Sequence, residues 1–119
     1  MPSRLIAIVD DEEAVRDSLL DLLEVSGYSV VTFASAAEFL QFPQIPDINC
    51  LVLDISMPGM SGIDISKELG RRNIAIPVVF MTGHAQQSLI NEAKRTGICL
   101  LKPFVGAELR TAIEKAMNG

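Results

Sequence analysis

The run Cys50-Leu51-Val52-Leu53-Asp54-Ile55-Ser56-Met57-Pro58-Gly59 decides the fold. Leu51, Val52 and Leu53 form a short apolar run, which predicts a buried strand. Met57-Pro58-Gly59 stops it with turn chemistry. Asp54 stands at the carboxyl end of that strand, where an unpaired buried carboxylate is costly. Other parts of the chain supply the compensation. Ile6-Ala7-Ile8-Val9 runs into Asp10-Asp11, Val78-Val79-Phe80-Met81 ends at Thr82-Gly83, and Leu100-Leu101 runs into Lys102-Pro103. If these strands are parallel neighbours, their ends bring three carboxylates, one hydroxyl and one ammonium to one edge.

The remaining segments alternate with these strands. The first strand is expected over 4–9. The helix after it carries Val15, Leu19, Leu22 and Leu23 at helical spacing and ends at Gly27. Glu12 and Glu13 at its start complement the helix dipole. A second strand is predicted over 28–33. Ser35-Ala36-Ala37-Glu38 is a capping-box pattern that opens a short helix through Leu40. Pro43 and Pro46 predict an extended, irregular link into the central strand. Ser61-Gly62-Ile63-Asp64 is a helix start, with Ile65 and Leu69 on one face and Arg71-Arg72 favouring its carboxyl end. Pro77 introduces the fourth strand. A helix over 86–96 ends at Gly97, and a fifth strand spans 98–101. Leu109, Ala112, Ile113, Ala116 and Met117 mark a final amphipathic helix. Val105-Gly106 lacks the Asp or Ser that would cap it, so a loose first turn is expected.

This alternation predicts an α/β protein with a parallel sheet covered on both faces. Right-handed crossovers make it a three-layer, doubly wound sheet. The 119 residues fit one domain over 1–119. Hydrophobic residues at 49% and charged residues at 21% indicate a globular chain. A formal net charge of −5 argues against direct nucleic-acid binding, which needs a cationic face. The two cysteines, Cys50 and Cys99, lie in apolar runs and read as small buried residues. The amino terminus has no basic region followed by a long apolar stretch, and no run reaches the ~18 apolar residues of a membrane span. A cytoplasmic location is the default expectation.

Asp10-Asp11, Asp54 with Met57-Pro58-Gly59, Thr82-Gly83 and Lys102-Pro103, in this order, resemble the CheY-like receiver domain of two-component response regulators. Thr82-Gly83-His84 and Lys102-Pro103-Phe104 are most similar to the FixJ branch. The resemblance covers nearly the whole chain. It implies five parallel strands in the flavodoxin-like order 2-1-3-4-5, with the site at the strand carboxyl ends. It also implies Mg²⁺, with Asp11, Asp54 and the Ser56 backbone carbonyl as direct ligands and Asp10 acting through water. Asp54 is then the phospho-acceptor, while Lys102 and Thr82 contact the phosphoryl oxygens. The implied donor is a sensor histidine kinase. The implied readers are an output DNA-binding domain or a partner protein, through the face made by the helix over 86–96, the strand over 98–101 and the final helix. That face is also where the resemblance places a homodimer. Regulation of transcription follows by analogy alone. His84 and Ser56 hold the places where this family varies the lifetime of the phosphoryl group.

Elementary chemistry agrees with the acidic site. Clustered carboxylates repel one another, and a divalent cation removes that penalty. Oxygen ligands suit Mg²⁺, and a carboxylate is a competent phosphoryl nucleophile. No Cys/His cluster supports zinc. Two features depart from the resemblance. Cys99 occupies the place of a Tyr or Phe three residues before the lysine, and Gly97–Lys102 is about two residues short. They favour an alternative, an interaction or dimerisation module that works without phosphorylation. A second alternative is a dehalogenase-like phosphatase, whose pattern needs a second aspartate where Ser56 stands. A flavin site lacks its phosphate-binding loop after the first strand. The expectation is therefore no enzyme beyond self-phosphorylation and dephosphorylation.

Overall fold

A computed structural model describes residues 3–83 and 87–118. Five strands and five helices alternate: β1 Leu5–Val9, α1 Glu13–Val25, β2 Ser29–Phe33, α2 Ala36–Leu40, β3 Cys50–Asp54, α3 Gly62–Arg71, β4 Val78–Thr82, α4 Gln87–Thr96, β5 Ile98–Leu101 and α5 Gly106–Asn118. All strand pairs are parallel, in the order β2-β1-β3-β4-β5. The expected sheet and its order are both observed.

Strand periodicity builds the two outer layers, because successive side chains point to opposite faces. Ala7, Val9, Leu51, Leu53 and Phe80 pack with Phe39 of α2, Ile65 and Leu69 of α3 and Ala93 of α4. Ile6, Ile8, Cys50, Val52, Val79 and Met81 pack with Leu19 and Leu23 of α1 and Leu109, Ala112 and Ile113 of α5. β3 is buried along its whole length, which explains its apolar run. Cys50 and Cys99 belong to opposite layers and both are free thiols.

Helix starts follow their local chemistry, with three differences from expectation. At α3 the box is complete: Ser61 Oγ accepts the Asp64 N–H, and an Asp64 carboxylate oxygen accepts the Ser61 N–H. At α2 only half the box forms. Ser35 Oγ accepts the Glu38 N–H, but Glu38 turns one residue further back to the Ala34 N–H at 2.8 Å. The first turn of α5 is tied rather than loose, since Glu108 Oε1 accepts the Val105 N–H at 3.1 Å. A glutamate at the third helical position thus supplies the half of a capping box that needs no cap side chain. The Pro43–Pro46 link is not wholly irregular either. It holds a 3₁₀ turn over Ile45–Asp47, with Pro46 in the turn's opening residues and Ile45 buried. Arg71 and Arg72 both pair with Glu68, and Arg72 also donates to the Leu40 carbonyl, tying α3 to α2.

Gly62 lets α3 start directly against the end of β3. A Cβ there would lie 2.6 Å from the Asp54 carbonyl oxygen and 3.2 Å from the Leu53 Cβ. Gly62→Ala is expected to lose about 1–3 kcal/mol despite alanine's better helix propensity, because the clash is with backbone. Gly70→Ala meets nothing within 4 Å and should be neutral or stabilising. Urea unfolding of the two variants checks this, and equal shifts would remove the steric argument.

Candidate functional site

Strand pairing assembles the site. Val9 is opposite Leu53, so Asp10 emerges beside Asp54. Thr82 is opposite Leu101, so Lys102 emerges beside Thr82, and its N–H donates to the Thr82 carbonyl at 2.8 Å. Asp10, Asp54 and Thr82 are buried, while Asp11 is exposed. One carboxylate oxygen from each of Asp10, Asp11 and Asp54 lies within 4.8 Å of the others. The four strand ends therefore meet on one edge, as their sequence predicts.

Each buried carboxylate divides its two oxygens. Asp10 Oδ1 accepts the Glu12 N–H and Asp54 Oδ1 accepts the Ser56 N–H, both at 2.9 Å. The other oxygens face Lys102, whose Nζ is 3.0 Å from Asp10 Oδ2 and 3.4 Å from Asp54 Oδ2. The backbone hydrogen bonds are Asx-type turns that follow directly from an aspartate two residues before the donor. Burial pushes the Asp54 carboxyl up, and the Asp10 charge adds to this; the Ser56 hydrogen bond and the Lys102 ammonium pull it down without cancelling the rise. Burial pulls Lys102 down, but its bond to Asp10 and the charges of Asp54 and Asp10 outweigh that, so its ammonium is held above the usual range. The arrangement stores a proton-sensitive carboxylate against a firmly charged lysine.

Thr82 Oγ1 lies 3.4 Å from Ser56 Oγ, a long hydroxyl contact. The Lys102–Pro103 peptide is cis. His84 lies outside the described residues. Glu12, Asp54, Ser56, Gly83, Lys102 and Pro103 line an open cleft over Asp54. Two participants escaped the sequence reading. Arg16 donates to the Asp10 carbonyl at 2.8 Å, and Glu12 places Oε1 at 4.0 Å from Lys102 Nζ. A helix-dipole role was the only signal for Glu12, and nothing local marked Arg16. Cys99 packs half-buried against the layer that holds Phe80 and Ala93, at the place where the resemblance puts an aromatic ring. Burial raises its thiol, and pushes the Cys50 thiol up to about 12.

Three hard oxygen donors at one point fit Mg²⁺ and no soft metal. Residues 6–114 match the family described as the response regulator receiver domain. The chain belongs to that family. The transcriptional regulatory protein FixJ of Azorhizobium caulinodans is 41% identical over 121 residues, covering 99% of this chain and 57% of that protein. Nodulation protein W of Bradyrhizobium diazoefficiens is 42% identical, covering 94% of the chain and 50% of the relative. The crystal structure of FixJ-N superposes with a TM-score of 0.86 at 38% identity, over 99% of this chain and 96% of that one. The receiver thus spans about half the length of the curated relatives it matches. It is a FixJ-like receiver domain of two-component phosphorelay signalling. Among the described residues, no helix of the receiver is long and apolar enough to cross a membrane.

Proposed function

We propose that this receiver takes a phosphoryl group onto Asp54 from a phosphohistidine of a sensor histidine kinase. The observation that carries the reading is the buried Asp54, with Oδ2 turned to Lys102 and with Asp10 and Asp11 beside it. Asp54 attacks phosphorus, the P–N bond to the imidazole breaks, and the imidazole leaves as the neutral base once protonated. Asp11, Asp54 and the Ser56 carbonyl would hold Mg²⁺, with Asp10 acting through water as the family resemblance implies; Asp10, Asp11 and Asp54 each bring a carboxylate oxygen to the site. Mg²⁺ held there would supply positive charge against the phosphoryl oxygens. Lys102 then follows the new negative charge, and the Thr82 hydroxyl donates to a phosphoryl oxygen. An intact-mass adduct formed with acetyl phosphate and Mg²⁺ tests the assignment.

The phosphorylated receiver presents a changed face on α4, β5 and α5 to an output DNA-binding domain, fused or separate, and so regulates transcription in the cytoplasm. Leu101 and Val105, exposed at 56% and 63%, give that face apolar contact area and support a homodimer through it. Beyond handling its own aspartyl-phosphate, the receiver is not an enzyme. Cys99 supports a second reading, an interaction module that switches without phosphate, because a thiol there is smaller than the family's ring. Equal partner binding by the parent and an Asp54→Asn variant would favour it.

Ser56 and His84 tune the phosphoryl lifetime in this reading. Ser56→Ala removes one contact of Thr82, so Thr82 moves to the phosphoryl group at lower cost. The adduct is expected to last about two- to tenfold longer, the range of one weak-to-ordinary hydrogen bond. Loss of adduct mass with time after donor removal reads this, and unchanged rates with both Ser56 and His84 exchanged would remove the assignment.

A further inference from the structure

We infer that the Glu12 carboxylate sets the charge selectivity of the cleft, favouring divalent-cation entry and disfavouring phosphodonors that carry a full double negative charge. The inference rests on Asp54 as the phospho-acceptor. Glu12 lines the cleft together with Asp54, Ser56, Gly83, Lys102 and Pro103. Its backbone is fixed there, because its N–H is held by Asp10 Oδ1 at 2.9 Å. Glu12 is the N-cap residue of α1, yet its side chain makes no capping hydrogen bond. It instead directs Oε1 toward Lys102 Nζ, at 4.0 Å. Lys102 is the cation that meets the incoming phosphoryl group, and it already serves Asp10 and Asp54. Glu12 is thus a further carboxylate on the same ammonium, and it stands on the solvent side, 65% exposed.

Its charge acts on whatever passes the rim. A dianionic donor is repelled twice as strongly as a monoanion, and a dication is drawn in. Because the group is exposed, the effect is modest and screened by salt. Neighbouring Glu13 carries the same charge one residue into α1 and does not line the cleft, so it separates a local effect from a change in net charge or helix dipole.

The test compares the parent, Glu12→Gln and Glu13→Gln in two measurements. The first is the rate of phosphorylation by acetyl phosphate and by the less negative phosphoramidate, at low and at ~1 M salt. Glu12→Gln is expected to speed acetyl phosphate about threefold at low salt, phosphoramidate less, with the gain lost at high salt. The second is Mg²⁺ affinity from amide resonances of Asp54 and Ser56, which needs no phosphorylation. Glu12→Gln should weaken Mg²⁺ about two- to threefold while Glu13→Gln does not. If the parent takes no phosphoryl group but Mg²⁺ weakens only in Glu12→Gln, the acceptor assignment fails and the field of Glu12 stands. Equal effects of Glu12→Gln and Glu13→Gln, or a gain that ignores donor charge and salt, overturn the inference.

Discussion

Asp54→Asn is expected to abolish the phosphoryl adduct that the parent forms with Mg²⁺ and acetyl phosphate. Asn keeps the shape and can still accept the Ser56 N–H through its carbonyl, so the β3 end and its turn remain. It has lost the anionic oxygen proposed to attack phosphorus, and with it one of the three carboxylates that could hold a cation. Intact mass of both proteins after equal incubation reads the result. An adduct of the same size on the variant would move the acceptor elsewhere. A pH signature accompanies it. In the folded protein the Asp54 carboxyl is raised above 3.8, mainly by burial. Between 3.8 and that raised value the folded state holds a proton that the unfolded state has released. The contribution of Asp54 to stability without Mg²⁺ therefore falls as pH rises through this window, and Asp54→Asn removes that part of the slope. Mg²⁺ held by Asp54 would compete with the same proton, so its stabilising effect is expected to grow as Asp54 ionises. Urea unfolding across acidic pH, with and without Mg²⁺, checks the sign. A parent whose stability relative to the variant rises with pH across the window would contradict the account of Asp54.

Lys102→Met is expected to cost about 2–3 kcal/mol without Mg²⁺. Methionine keeps a long flexible stem, so the change is chiefly the loss of the ammonium. Asp10 is fully buried and Asp54 nearly so, and both direct an oxygen at Lys102. Removing one partner of a fully buried ion pair costs about 3–5 kcal/mol, and the 20% exposure of Lys102 lowers that here. Mg²⁺ supplies the missing positive charge. Most of the loss should return with saturating Mg²⁺, and the variant should bind Mg²⁺ more tightly than the parent, since a cation no longer shares the site with an ammonium. Urea unfolding with and without Mg²⁺ separates the causes. An equal loss in both conditions would show that packing of the stem, not carboxylate charge, is what Lys102 provides.

The site's principal residues were legible because each interrupts an apolar run with a charge or hydroxyl that burial would otherwise penalise. Asp10, Asp54, Thr82 and Lys102 all carry that local mark. Helix starts were legible where the cap is written in adjacent residues, as in the Ser61–Asp64 box. The starts of α2 and α5 were also legible, but not where their glutamates reach: Glu108 back to the Val105 N–H, and Glu38 past Ser35 to the Ala34 N–H. Glu12 and Arg16 were not legible, since a long side chain on a helix's first turns has several rotamers and only its neighbours choose among them.

By itself the sequence determined the alternation of strands and helices, the two faces of each strand and the acidic character of the β1 and β3 ends. These depend on spacing within a few residues and on the free energy of burying apolar side chains. Only the tertiary structure decided which ends touch. Lys102 and Asp10 are 92 residues apart, and their 3.0 Å contact requires β1 to lie beside β3, β3 beside β4 and β4 beside β5. That order is set by helices of sufficient length crossing over with one hand and by the fit of two layers onto a single sheet. No local pattern encodes it, because pairing energy between strands is collected only after the long connections have closed.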